Sequence, residues 1–301
     1  MFHNFVSQFQ YQPLRDLAWV LNSPHLLSER TGVACAKEIH RDDDAKNEWL
    51  LALDKQPEAL LSYCSQTNHQ RLGGYFEALL KFTLQQSSDV ALLLNNWVVR
   101  DGKETLGECD FIFRDLRRQQ IHHWEVTVKF YLYHQGQFFG TNVRDRLDIK
   151  YRRLRDHQLK LPQRPLVKAL LKNQFGIEQL DSSVFFKGYL FYPLGFEGDQ
   201  SNMLADDHLR GSWCHLPQLA EWCGRQALDC RYCMVPRLQW LSACFRKDES
   251  GVLDFLALSQ VLSECFQLRP QGQLVVALKQ GDYGWCEVAR CMVVEEGWPV
   301  V

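Results

Sequence analysis

Three carboxylates and a lysine in the stretch Leu106–Tyr133 fall at spacings that could support metal chemistry. The stretch reads LGECDFIFRDLRRQQIHHWEVTVKFYLY, two strand-like runs joined by a polar, basic turn. In the second run Trp124, Val126, Val128, Phe130 and Leu132 alternate with His123, Glu125, Thr127, Lys129 and Tyr131, the period-two pattern of a strand with one buried and one polar face. Glu125 and Lys129 then point the same way. In the first run Glu108 and Asp110 share a face, and Cys109, Phe111 and Phe113 take the other. Paired as a hairpin, the two runs bring the carboxylates and one ammonium group onto one polar patch. Carboxylates so placed repel and stay ionised together only with a cation among them. Mg²⁺, or Mn²⁺ in its place, suits such a patch, because hard ions take oxygen ligands and keep several waters.

The flanking elements must hold that patch. Leu72–Leu84 (LGGYFEALLKFTL) reads as a helix with Leu72, Phe76, Leu79 and Thr83 on one stripe and Glu77 beside it. Leu92–Val99 reads as a first strand that turns at Asp101-Gly102 into the hairpin. Beyond Gly136–Gly140, Val143–Leu159 (VRDRLDIKYRRLRDHQL) is expected as a basic amphipathic helix, with Leu147, Tyr151 and Leu154 inward. Arg144, Arg146, Lys150, Arg152, Arg153 and Arg155 face outward. Asp145, Asp148 and Asp156 could simply solvate that helix, yet a line of guanidinium groups also suits phosphate oxygens. Ser183–Tyr192 supplies a fourth strand.

The order helix, three strands, helix, strand, together with the G-E-x-D run and the acid-bearing strand after it, resembles the core of the PD-(D/E)XK nuclease superfamily. The resemblance implies a restriction-endonuclease-like α/β (mixed α+β) fold, a mixed sheet flanked by helices. It implies Asp110 as the metal-binding aspartate, Glu125 as the second acid and Lys129 as the catalytic lysine. Glu108 or Glu77 would assist at the metal; Glu77 could instead pair with Lys81, four residues on. The superfamily pattern puts its lysine two residues after the acid, where this chain has Thr127. Lys129 lies on the same face, displaced by roughly 7 Å, and its flexible stem favours it over Lys150, which would reach across from the basic helix. Through RDLAWVLNSP, LGGYFEALLKF, HWEVTVKFYL and RDRLDIK the whole chain also resembles an uncharacterised bacterial family of about this length, grouped with that superfamily. The implied activity is metal-dependent phosphodiester hydrolysis of nucleic acid, DNA being the commoner substrate of such folds. The alternative is a non-catalytic protein that binds nucleic acid or a partner on a degenerate core.

Composition bounds these expectations. The 301 residues, 46% hydrophobic, can bury a large core, and a net charge of −2 leaves any basic surface local rather than global. No cationic, apolar leader opens the chain and no apolar run reaches membrane-spanning length, so a cytoplasmic protein with reduced thiols is expected. Three regions are expected: a helical region 1–66, a nuclease-like core 67–196 and a C-terminal α+β module 197–301. The acidic patch at 41–44 reads as a solvated loop or helix start, and 197–207 as a linker. The module carries eight of the eleven cysteines. Cys230 and Cys233 form a CxxC pair, but a structural zinc site normally shows two such pairs, which argues against zinc here. Its tryptophans read as core, and what the module recognises is left open.

Overall fold

A computed structural model of the chain describes residues 5–6, 8–37, 39–40, 42–66, 70–198, 201–269 and 271–299. Arg41 of the acidic patch, and residues 199–200 of the expected linker, lie outside the described residues. Helix α1 (Gln12–Asn22) opens on Pro13, tolerated in a first turn, and buries Leu14, Leu17, Ala18 and Trp19. Helix α2 (Asp43–Lys55) begins where Asp42 accepts a hydrogen bond from the Ala45 amide at 2.8 Å, so the acidic patch is a helix cap. Helices α3 (Glu58–Gln66) and α4 (Leu72–Gln86) follow.

Strands β1 (Val90–Asp101), β2 (Glu104–Asp115) and β3 (Gln120–His134) form an antiparallel meander, and the short β4 (Gln137–Phe139) folds back on the end of β3. Helix α5 covers Leu147–Arg153 only and continues as a π turn, Leu154–Gln158. The expected start at Val143 is corrected by a turn: the Asp145 amide bonds to Asn142 O at 2.9 Å and the Gly140 amide to Asp145 O at 2.6 Å. That closes a loop that a helix could not share. After α6 (Pro165–Phe175), β5 (Asp181–Pro193) runs parallel to β3 over eleven paired positions, His122–Leu132 against Asp181–Phe191. Such a strand is covered on both faces, which is why Val184–Phe186 and Tyr189–Phe191 read as near-continuous apolar sequence.

The stretch after 197, expected as a module, adds its strands to the same sheet. It contributes β6 (Arg210–His215), α7 (Leu219–Gly224), β7 (Arg231–Met234), β8 (Phe245–Arg246), α8 (Phe255–Leu268), β9 (Gln273–Gly281) and β10 (Gly284–Val294). The strand order is β1-β2-β3-β5-β6-β10-β9-β7, with β3, β5, β6 and β10 mutually parallel. Among the described residues this is a mixed α/β architecture of ten strands and eight α-helices. One apolar cluster runs from Leu14 and Trp19 through Phe76, Phe111 and Phe130 to Trp240 and Met292. Asp16, fully buried on α1, ties that helix to α4 and to the loop at Ser242. It accepts from Ser242 Oγ (2.7 Å), Ser242 N (3.2 Å), Gln12 (2.9 Å) and Tyr75 OH (3.0 Å). A buried carboxylate left without those donors would destabilise by several kcal/mol (about 3–5).

Candidate active site at a strand fork

β2 and β3 pair from Asp115/Gln120 to Phe111/Trp124 and then part. The next rung would set Asp110 opposite Glu125. Instead Asp110 Oδ2 accepts the Val126 amide at 2.8 Å, the hydrogen bond a neighbouring strand's carbonyl would otherwise take. Across β2, Asn96 of β1 adopts a left-handed φ of 52°, and Asn95 donates to the Asp110 carbonyl at 3.1 Å. Alternation breaks at this point. Cys109 packs with Ile112 and Leu161, not with Phe111 and Phe113 as period two predicts. The register of β1 against β2 holds across Asn96 and shifts only between Leu92 and Leu94 and between Val99 and Arg100.

The fork opens onto a cleft of about 610 Å³. Asp110, Glu77 of α4, Thr127 and Lys129 line it, together with Asp145 from the loop before α5. Burial pushes the Asp110 carboxyl up to about 7, with the charges of Glu125 and Glu77 adding to the effect and Lys150 opposing it. Glu125, only 1% exposed, is pushed up to about 8, again by burial first; Lys150 opposes and Glu108 adds. Lys150, itself largely desolvated, has its pKa lowered by that burial, while Glu125 and Asp110 hold it up.

Glu125 is the centre of a chain of polar side chains. Its Oε1 lies 3.1 Å from His123 Nε2, and His123 Nδ1 lies 3.1 Å from Ser182 Oγ on β5. Its Oε2 accepts from Gln158 Nε2 at 2.5 Å, and Gln158 Oε1 accepts from Lys150 Nζ at 3.1 Å. The π turn ends on Gln158, which brings that amide to the carboxylate. Burial depresses His123 to about 4, so the ring is neutral and donates to one partner only.

The residues expected from sequence divide at this site. Asp110 and Glu125 sit on adjacent strands and act electrostatically on one another. Glu77 is in the cleft with Asp110, whereas Glu108 is exposed. Lys129 shares the Glu125 side of β3 but its ammonium is bound by Asp145 Oδ2 at 2.6 Å, and Tyr131 OH holds the other oxygen at 3.0 Å. The basic helix is largely self-neutralised. Arg146 and Arg152 both pair with Asp148, and Arg155 with Asp156. Arg144 and Arg153 stay exposed without an ion pair among the described residues. Sequence reasoning missed Gln158, Asp145 and two cleft guanidiniums, Arg71 and Arg237. Gln158 stood within the expected helix, but nothing in its spacing marked it.

Half-buried Asp110 faces the cleft and buried Glu125 lies behind it, a pair whose oxygens suit a hard divalent ion that fills its remaining positions with water. A larger ligand set does not form: among the described residues no three Asp, Glu, His or Cys side chains converge to hold an ion. Cys230 and Cys233 belong to no such group among the described residues, and among the described residues no helix is long and apolar enough to cross a membrane.

Fold and site together define an α/β protein with a carboxylate-lined cleft at a strand fork. The chain belongs to the family described as Domain of unknown function (DUF1853), whose pattern matches residues 15–294. No curated protein and no solved structure matches it.

Proposed function

We propose that the fork is the active site of a divalent-metal-dependent phosphodiesterase acting on nucleic acid, DNA being the first substrate to test, on a PD-(D/E)XK-like core. The observation that carries this reading is the Asp110–Glu125 pair where β2 leaves β3. The element order α4-β1-β2-β3-α5-β5, with β5 parallel to β3, supports it as an analogy of fold. Asp110 and Glu125 would hold the ion, which when bound polarises the scissile phosphate and lowers the pKa of an attacking water. Lys150, the cation whose charge acts on both carboxylates, would offset charge developing on the phosphate in place of the lysine absent at Thr127. Gln158 and His123 orient Glu125. Glu77 adds negative charge at the cleft side of Asp110.

One observation favours a second reading, a binding protein on a non-catalytic core: both Glu125 oxygens already have partners, His123 and Gln158. Calorimetry with Mn²⁺ on the native chain and on Asp110→Ala separates the two. The enzyme reading expects binding heat that the variant loses, with Mg²⁺- or Mn²⁺-dependent cleavage of end-labelled DNA. Equal heats from both proteins would sink it.

A further inference from the structure

The cleft has a second wall, and the C-terminal strands build it. The 3-10 turn Arg237–Gln239 sets Arg237 beside the cleft, its guanidinium 4.8 Å from the Trp240 ring centroid. Trp240 is a fixed platform. Its indole N–H donates to Val235 O at 2.8 Å, its ring meets Phe130 of β3 edge-on at 5.3 Å, and its carbonyl accepts from Arg290 Nη1 at 3.2 Å. Arg290 is buried and paired with Glu287, and it also bonds Ser242 O, so the loop 240–242 is clamped from beneath.

Arg237 itself has no ion pair among the described residues. Arg71, at the start of α4, also lines the cleft and is likewise unpaired and exposed. The chain thus neutralises most arginines of α5 locally and leaves two in the cleft, one of them held on an aromatic platform. Guanidinium groups so placed are suited to bidentate contacts with phosphate oxygens. The open cleft, about 610 Å³, has the volume of a small-ligand site, within the range of roughly 300–1,000 Å³. A cleft of that size suits part of one strand better than a duplex, whose major groove alone is about 12 Å wide.

We propose that Arg237 and Arg71 clamp the phosphates of a single nucleic-acid strand in this cleft, so that the substrate class is a single strand or a frayed strand end and not an intact duplex. The proposal rests on the phosphodiesterase reading for its location, but binding tests it without turnover. Fluorescence anisotropy of a labelled ten-nucleotide oligothymidylate, and of a blunt duplex containing it, would be followed on the full chain without divalent metal. The native protein is expected to bind the single strand at least tenfold tighter than the duplex. Arg237→Ala and Arg71→Ala should each weaken single-strand binding about tenfold and lower the slope of log affinity against log salt by about 0.7. Arg237→Lys should recover only part of the loss, since an ammonium lacks the planar fork. Lys103→Ala, which removes an exposed charge in the β1–β2 turn, should stay within twofold. Free thymidine monophosphate competing as well as the oligonucleotide would reduce the site to one for a lone phosphate and overturn the strand assignment. Equal affinity for duplex, or unchanged affinity in Arg237→Ala with the same melting temperature as the native chain, would also overturn it. Strand binding without metal-dependent cleavage would leave the clamp standing and remove the phosphodiesterase. Cleavage unaffected by either arginine would do the reverse.

Discussion

The side-chain amide of Gln158 joins Glu125 to Lys150, donating to the carboxylate at 2.5 Å and accepting from the ammonium at 3.1 Å. The two charges are therefore coupled through a neutral group with no direct ion pair between them. Gln158→Leu keeps the volume and breaks both bonds, leaving the buried Glu125 oxygen without that donor. A loss of about 1–3 kcal/mol in unfolding free energy is expected, read as a lower urea midpoint with an unchanged slope. An unaltered midpoint would show that the bridge is not formed in solution.

Lys150 and Lys129 should separate in an activity assay. Lys129 is engaged by Asp145, whereas Lys150 acts on both carboxylates. Under saturating Mg²⁺, Lys150→Ala is expected to slow DNA cleavage by about a hundredfold or more. Lys129→Ala should do less, through the loop it tethers. The opposite ranking would assign the lysine role to Lys129.

The raised pKa values of Asp110 and Glu125 make stability depend on pH. The folded chain holds these protons more tightly than the unfolded one, so the associated stability is fully present below about pH 4 and lost as pH rises through 7 to 8. Each group contributes a slope of up to about 1.4 kcal/mol per pH unit. His123 and His25, depressed to about 4 and about 3, act oppositely but only below about 6.5, where their unfolded forms take up protons. Between pH 6.5 and 8.5 the native chain should therefore lose stability more steeply than Asp110→Asn. Millimolar Mg²⁺ should flatten the native curve, because bound metal favours the ionised carboxylates. Parallel curves for the two proteins would contradict the shifts.

Gly188 of β5 fixes the spacing behind the fork. Its φ is +148°, and a Cβ there would fall on the Lys129 carbonyl oxygen. Gly188→Ala should cost about 3 kcal/mol or more through strain and strand separation. Because β3 itself would move, metal affinity should fall with stability in the same variant. Calorimetry alongside thermal unfolding checks both.

Local pattern made much of this legible. Period two along 123–132 identified β3, the acids at 110 and 125 fell on paired strands, and the apolar stripe of Leu72–Leu84 gave α4. The failures share a cause, which is that they depend on partners distant in the chain or on backbone departures with no residue signature. Arg71 and Arg237 meet at one cleft only because β9 and β10 extend the sheet that α4 covers. Asn96 is one of two adjacent asparagines, and nothing in the sequence says which turns left-handed. The arginines of α5 show the converse. Asp148 and Asp156 were visible among them, but only geometry reveals that Asp148 binds two guanidiniums at once.

β10 lies inside the sheet between β6 and β9, and its Arg290 holds the Trp240 carbonyl. A chain still emerging from the ribosome can form the β1–β2–β3 meander from near neighbours, but not the platform beneath Arg237. Long-range parallel pairing of this kind is slow to form, because a large loop must close before any contact rewards it. The carboxylate fork is thus built from near neighbours and the platform beneath Arg237 from distant ones, so that a chain cut before β10 is expected to carry the acids and Arg71 without the support of Arg237.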